Sequence, residues 1–222
     1  MTPKTITALK QQKRNPQRVN VFLNGEFAFG LAKIVAAWLK VGEGLSEEKI
    51  VQLHAKDEVE TAYQRGLNFL SYRSRSVAEV QRNLEKHGLS EDAIGEVLER
   101  LIDKQLLDDE KFALDWVDNR GTFRPRGRFA LRVELRQKGI QDSVIEHVLK
   151  DLDEDALARR AAEKKLRQFS RLNEKEFRKK LSAYLSRRGF SYEIVTDVCK
   201  QAWKTAKHDD TIQSATDIET RI

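Results

Sequence analysis

The chain has one cysteine, three prolines and no long apolar run, and each scarcity excludes a class of protein. A single cysteine cannot form an internal disulfide, which favours a reducing compartment. No apolar segment reaches the roughly 20 residues that a membrane-spanning helix needs, and the N-terminus lacks the apolar core of a secretory signal. Only Pro125 follows residue 16, so long stretches are free to be helical. We therefore expect a cytoplasmic, mainly helical protein that does not enter a membrane.

The sequence also lacks the short motifs that mark common enzymes and metal sites. It has no Gly-x-x-x-x-Gly-Lys phosphate loop, no His-Glu-x-x-His and no Cys-x-x-Cys pair. Acids at 108–110 and 151–155 fall where helices are expected to begin, and capping explains them more simply than metal binding does. The histidines are scattered: His54, His87, His147 and His208. We expect no catalytic residue, no cofactor, no metal ion and no small-molecule substrate.

One pattern occurs three times. In each copy a leucine stands four residues before a glycine and an apolar residue follows the glycine, at 84–89, 135–140 and 185–190. The glycines lie 51 and 50 residues apart, and the apolar positions downstream stay in register. Such periodicity predicts supersecondary units that stack and share a core. Each glycine is expected to end a helix in the left-handed conformation, which glycine adopts without steric strain.

The first part of the chain has a different pattern. β-forming residues cluster at 6–11, 18–23 and 26–29. Asn24-Gly25 is a type I′ hairpin signal. Short helices are predicted at 33–40 and 46–54, and only helical periodicity follows from residue 57.

We therefore predict a mainly α protein built of tandem three-helix, helix-turn-helix-like repeats, elongated and curved, with a small N-terminal head that contains a β-hairpin. The predicted head covers residues 1–57. The three repeats are placed at 58–108, 109–155 and 156–208, and a loose tail at 209–222.

Basic residues are unevenly distributed. The net charge is +6, but residues 120–138 hold seven basic side chains against one acid, and residues 159–188 hold twelve against three. Such blocks can follow a phosphate backbone or meet an acidic protein surface. The alternative is a solvated helical face that binds nothing.

Some apolar and aromatic residues allow two interpretations. Phe112 and Trp116 lie one helical turn apart, which favours a place in the core over stacking on nucleobases. Phe123 is the better candidate for an exposed aromatic residue. Cys199 falls on a core position of the third repeat and is expected to be a buried apolar side chain rather than a nucleophile.

Four segments carry a resemblance to a known family. They are the Leu-Asp-Asp-Glu-Lys-Phe-Ala run at 107–113, Arg-Pro-Arg-Gly at 124–127, Leu-Arg-Gln-Lys-Gly-Ile at 135–140 and Arg-Ser-Arg-Ser-Val-Ala-Glu at 73–79. Taken together in their order along the chain, these segments resemble the RecX family, regulators of the RecA recombinase. The resemblance covers residues 60–204. One departure is Gln105, where the family often has glycine.

The resemblance implies a non-enzymatic regulator. Such a protein binds the RecA filament on single-stranded DNA and lowers ATP hydrolysis and strand exchange, and so modulates recombination, DNA repair and the SOS response. From the residues themselves we expect a monomer, although the sequence leaves the oligomeric state open, and DNA contacts that are weak or nonspecific, to single strands and also to duplex. The basic residues expected to meet filament or DNA are Arg73, Arg75, Arg120, Arg124, Arg126, Arg128, Arg132, Arg136, Lys138, Arg167, Arg178, Lys179, Arg187 and Arg188.

A DNA-binding helix-turn-helix protein that competes for DNA without sequence preference is the alternative. The third helices of the repeats argue against reading of the major groove. The first of them opens with Glu91 and Asp92, and the second opens with Gln141-Asp142 and has no arginine. Recognition helices normally present Arg, Lys, Asn or Gln to base edges. Any affinity for DNA is therefore expected to rest on phosphate contacts.

Overall fold

The structure, a computed structural model, describes residues 4–169 and 171–219, with side chains as far as residue 206. It divides into two compact units, residues 1–108 and 109–222. The strands of the described residues are β1 (Lys4–Gln11), β2 (Arg18–Leu23), β3 (Glu26–Ala32) and β4 (Gly44–Leu45). The helices of this part of the chain are α1 (Lys33–Ala36), α2 (Glu47–Leu70), α3 (Val77–Glu85), α4 (Glu91–Asp103), α5 (Asp109–Phe123), α6 (Arg128–Gln137), α7 (Asp142–Leu149), α8 (Glu154–Phe169), α9 (Glu174–Ser186) and α10 (Tyr192–Glu219).

The head is an antiparallel sheet with strand order β3-β2-β1-β4. Leu23 pairs with Glu26 across a two-residue turn, in which Asn24 has φ 52° and Gly25 has φ 91°. Two consecutive positive φ angles are those of a type I′ turn, so the predicted hairpin is confirmed. One face of the sheet packs on a small apolar core that includes the buried residues Ile6 and Leu31.

The helix predicted at 46–54 is wrong as a separate short element, because α2 runs unbroken from Glu47 to Leu70. No glycine or proline interrupts residues 47–65, so nothing in that stretch ends the helix. Asp57, at the expected boundary, instead ties the helix to the sheet. Its carboxylate accepts a hydrogen bond from the Ala32 N–H at 2.5 Å and pairs with Arg18 at 2.8 Å. Helix α1 is shorter than the helix predicted at 33–40, because it ends at Ala36.

Three-helix modules follow: the later part of α2 with α3 and α4, then α5–α7, then α8–α10. The repeat glycines end the second helix of each module with φ of 71°, 81° and 81° at Gly88, Gly139 and Gly189. The repeat leucines, at positions 84, 135 and 185, are fully buried in the three cores. The mainly α, three-helix repeat fold is thereby confirmed.

The C-terminal segment differs from its prediction. Residues 209–219, expected to form a loose tail, continue helix α10 as far as Glu219. No glycine or proline stands between residue 190 and the C-terminus, so the chain contains no local signal to stop the helix. Residues 220–222 of the predicted tail lie outside the described residues.

Candidate protein and nucleic-acid interface

The one acid in the first basic block is the centre of an internal cluster. Glu134 on α6 accepts hydrogen bonds from Arg120 Nε at 2.7 Å and Trp116 Nε1 at 2.8 Å, both from α5. Arg126 Nε lies 3.2 Å from the other carboxylate oxygen in an ion pair, although its N–H is not aligned for a hydrogen bond. Arg120 also stacks over the Trp116 ring, with 4.4 Å between guanidinium carbon and ring centroid. Two of the predicted partner-binding arginines therefore hold α5 and α6 together.

Arg128 has a structural role as well. Its guanidinium donates hydrogen bonds to the carbonyl oxygens of Leu149 and Leu152, which end helix α7 and the turn after it. Its backbone N–H donates to Glu154 Oε1 at 3.0 Å. The first N–H groups and the last C=O groups of a helix have no partner within that helix. Arg128 and Glu154 satisfy such groups at the ends of α6 and α7.

The next two arginines of α6 face α7. Arg132 forms a two-bond contact with Glu146, at 2.8 and 2.9 Å, and Arg136 donates to Asp142 at 2.6 Å. These hydrogen bonds hold the pKa of Glu146 and the pKa of Asp142 below their ordinary values. All four side chains reach solvent, so salt will weaken the pairs. In this structure they link neighbouring helices.

The Arg-Pro-Arg-Gly segment forms a joint between the second and third modules. The Gly127 N–H donates to the Arg188 carbonyl at 2.9 Å, and the Arg188 guanidinium donates to the Pro125 carbonyl at 2.9 Å. A Cβ atom on Gly127 would lie 2.2 Å from the Gly189 oxygen, closer than atoms can approach. Only glycine permits this contact between two backbones. Arg188 therefore belongs to the joint.

The first unit holds two more of the predicted residues. Arg73 pairs with Glu79 through two bonds of 3.0 and 3.2 Å. Arg75 lies over the Phe69 ring, 4.0 Å from its centroid, and its Nε is buried. Burial, with the charge of Arg73 as a second cause, lowers the pKa of the Arg75 guanidinium.

The remaining predicted residues point mostly to solvent. Lys138 lies over the Trp116 ring at 4.9 Å, and Arg178 pairs with Glu174 one turn earlier at 2.6 Å. Arg167 is exposed on α8. Arg124 is exposed, and its guanidinium has no ion pair or hydrogen bond within the described part of the chain.

A basic groove lies between α8 and α9 of the third module, with a volume of about 550 Å³. Its walls bring together two predicted residues, Lys179 and Arg187, and three that sequence reasoning missed: Lys165, Lys180 and Tyr184. Spacing contained a signal for part of this set. Positions 176, 180, 183, 184 and 187 follow the helical period and therefore share one face of α9.

Phe112 and Phe123 of the second module lie as predicted, the first in the core and the second at the surface. Phe112 is buried and stacks on Trp116, with 5.9 Å between ring centroids. Phe123 is 67% exposed, and Phe129 is 68% exposed. Cys199 is buried, as expected, and burial raises the pKa of its thiol to about 11.

Two kinds of feature are absent from the described residues. No helix among them has the length and apolar character to cross a membrane. Among the same residues, no three His, Cys, Asp or Glu side chains are grouped so as to hold a metal ion.

Family models match in order along the chain. The RecX N-terminal domain matches residues 4–46, and the first, second and third RecX three-helix domains match residues 62–101, 108–149 and 153–199. Regulatory protein RecX of Bacillus licheniformis is 35% identical over 196 residues, covering 86% of this chain and 74% of the relative. Regulatory protein RecX of Bacillus subtilis is 35% identical over 201 residues, covering 88% of this chain and 76% of that relative.

Solved structures agree with this result. A crystal structure of regulatory protein RecX superposes with a TM-score of 0.72 at 28% identity, covering 88% of this chain and 98% of that one. RecX from Lactobacillus salivarius superposes with a TM-score of 0.60 at 28% identity, covering 66% of this chain and 97% of that one. Sequence, domain order and fold agree, and the chain belongs to the RecX family of regulatory proteins.

Proposed function

We propose that this protein binds the RecA filament on single-stranded DNA and lowers its ATP hydrolysis and strand exchange. Through this inhibition it modulates recombination, DNA repair and the SOS response in the cytoplasm, as a monomer and without catalysing a reaction of its own. The observation that carries the proposal is the ordered match of all four RecX domains. The relatives that match over most of the chain are named regulatory proteins.

The distribution of charge supports contact with a polyanion. Residues 1–108 contain sixteen basic and fifteen acidic side chains, which gives a net charge of +1. Residues 109–222 contain twenty-five basic and twenty acidic side chains, which gives a net charge of +5. A filament on DNA presents phosphates together with protein surface. The second unit is therefore the better candidate for the part that meets nucleic acid.

The proposal is tested by measuring ATP hydrolysis by the cognate recombinase on single-stranded DNA while this protein is titrated below one copy per recombinase. Filament-directed regulation predicts a fall in rate that excess single-stranded DNA does not reverse. An unchanged rate contradicts the proposal.

Competition for DNA is the alternative, and the same assay distinguishes it, because added DNA would then restore the rate. The third helices do not favour sequence reading. Helix α4 begins with Glu91 and Asp92, and at the start of α7 Asp142 pairs with Arg136. Carboxylate side chains in the first turn repel phosphates and cannot donate a hydrogen bond to guanine.

A further inference from the structure

We propose that the groove between α8 and α9 binds single-stranded nucleic acid, with phosphates on its cationic rim and one base against Tyr184. The inference rests on the proposed function in that it locates the nucleic-acid contact of the same protein. It places that contact away from the arginines of α6, which are also among the predicted residues.

The rim of the groove is cationic, and its charges are available to a ligand. Lys179, Lys180 and Arg187 are exposed, and within the described residues none of their side chains forms an ion pair or hydrogen bond. Lys165 donates only to the neutral Gln168, at 2.7 Å. Among the described residues that line the groove, Glu176 is the one acid. Four cations against one acid leave a local excess of positive charge, which attracts phosphates.

The wall of the groove supplies a flat apolar surface. Tyr184 is half-buried, and Phe169 and Ala183 also line the cleft. The Lys165 Nζ lies over the tyrosine ring, 5.4 Å from its centroid, and has to move aside for a base to stack there. The Arg188 guanidinium, 4.6 Å from the centroid, does not line the groove. Sites for single-stranded nucleic acid combine aromatic side chains that stack on bases with cations that follow the backbone. Both features occur here within one cleft.

The volume and the chemistry together favour a single strand. About 550 Å³ is within the range of small-molecule sites and suits an unpaired nucleotide rather than a double helix. A duplex keeps its base faces stacked inside and exposes phosphates, sugars and base edges, whereas a single strand can turn a base face onto Tyr184. An acidic protein segment would use the cations and leave the ring without a planar partner. That binding mode is an outcome of the test.

The first experiment measures the affinity of the full chain for fluorescein-labelled oligo(dT) by anisotropy at several salt concentrations. The variant Lys179→Ala/Lys180→Ala/Arg187→Ala removes three cations of the rim. The matched control, Lys150→Ala/Lys200→Ala/Lys204→Ala, removes three exposed cations of the same unit that do not line the groove.

We expect the groove variant to bind at least tenfold more weakly and the control less than threefold more weakly. The log–log salt slope should decrease by about 2 in the groove variant, because each contact of a single strand contributes about 0.7. Equal losses in the two variants would mean that only net charge matters, and would overturn the proposal.

The second experiment isolates the ring. Tyr184→Leu and Tyr184→Phe are compared on oligo(dT) and on an abasic oligonucleotide of the same length and charge. Stacking predicts that Tyr184→Leu weakens binding of oligo(dT) about tenfold and of the abasic strand less than twofold, while Tyr184→Phe binds both like the wild type. A purely structural role would weaken both ligands equally and contradict the stacking contact. Circular dichroism confirms that each variant is folded.

Failure of this inference is distinguishable from failure of the proposed function, because these assays contain no recombinase. A groove variant that binds DNA like the control but no longer inhibits the recombinase would show that the groove contacts protein, which overturns the inference and leaves the proposed function intact. A wild type that binds oligo(dT) through the groove but never inhibits would refute the function alone.

Discussion

The second and third modules have comparable basic blocks and use them differently. In the second, Arg120, Arg126, Arg132 and Arg136 contact acids of the same unit within 3.2 Å. In the third, cations from α8, α9 and the residue after α9 line an open groove. A count of charges along the sequence ranks both blocks as candidate interfaces. The structure shows that most of the first block is occupied with holding helices together.

The choice of residue matches this division. Arginine presents a planar fork that suits two-bond contact with a carboxylate, as between Arg132 and Glu146. Lysine is a compact, hydrated point charge on a flexible stem, which suits shifting phosphate contacts. Lys165, Lys179 and Lys180 supply three of the four cations of the groove.

The largest effect is expected from breaking the joint between these two modules. Gly127→Ala places a methyl group 2.2 Å from the Gly189 oxygen, so the backbones must separate. We expect a loss of about 3 kcal/mol in the free energy of unfolding, measured by urea denaturation. The control is Gly95→Ala on α4, where the added methyl meets nothing within 4 Å. It should stabilise the protein by up to about 1 kcal/mol, because alanine is the better helix former. Equal stability of the two variants would contradict the joint.

The second-largest effect is expected from a variant that leaves arginines of the second module unpaired, as the cations of the groove in the third module are. Glu134→Ala frees Arg120 and Arg126 and leaves Trp116 Nε1 without its acceptor. We expect a loss of about 2 kcal/mol, since a largely buried hydrogen-bonded ion pair loses one partner. The same variant should bind oligo(dT) more tightly than wild type, because two cations become available.

The control for this variant keeps the acceptor and removes the charge. Glu134→Gln should be more stable than Glu134→Ala. The two variants should bind DNA with similar affinity. Urea denaturation and anisotropy measure the two quantities. Unchanged DNA affinity in both variants would show that the arginines of the second module are remote from DNA even when unpaired.

A smaller effect concerns the turns that separate helices. Gln105 has φ 56°, a left-handed conformation that strains a residue with a Cβ atom. Gln105→Gly should therefore raise the free energy of unfolding by about 1 kcal/mol. Gly139→Ala, at φ 81°, should lower it by a similar amount. A stability loss in Gln105→Gly would indicate that the glutamine side chain contributes more than its backbone strain removes.

The smallest effect tests the exposed pairs of α6. Arg132→Ala should raise the pKa of Glu146 toward its ordinary value of 4.5, because the Arg132 hydrogen bond is the main cause that lowers it. Folding lowers the pKa of Glu146. The ion pair therefore stabilises the folded protein at a pH above the ordinary pKa, and this contribution is lost as the pH falls through the lowered pKa. A side-chain NMR titration measures the pKa. Lys179→Ala is the control and should leave it unchanged.

Much of the fold follows from short sequence patterns. Asn24-Gly25 makes the predicted turn, Ser76 accepts a capping bond from the Glu79 N–H at 3.2 Å, and Gly88 ends its helix with positive φ. Each of these depends on a few consecutive residues. The contacts of Asp57 could not be predicted in this way, because its partners Arg18 and Ala32 are distant in sequence.

The candidate site was less accessible to sequence reasoning. Arg128 looks like any other cation in the basic block, but its bonds go to Leu149 and Leu152, and its backbone N–H donates to Glu154. In the sequence Arg188 belongs to the same basic block as Lys179, yet its guanidinium donates a hydrogen bond to the carbonyl of Pro125, 63 residues away. Conversely, the helical spacing of Lys180 and Tyr184 placed them on one face without showing that α8 forms the opposite wall.

The sequence by itself determined the number of modules, the helix caps and the left-handed turns, because these depend on periodicity and on backbone conformations within a few residues. Only the tertiary structure decided which basic residues are available to a partner. Ion pairing depends on distances between side chains, and these distances are set by how helices pack rather than by their order along the chain.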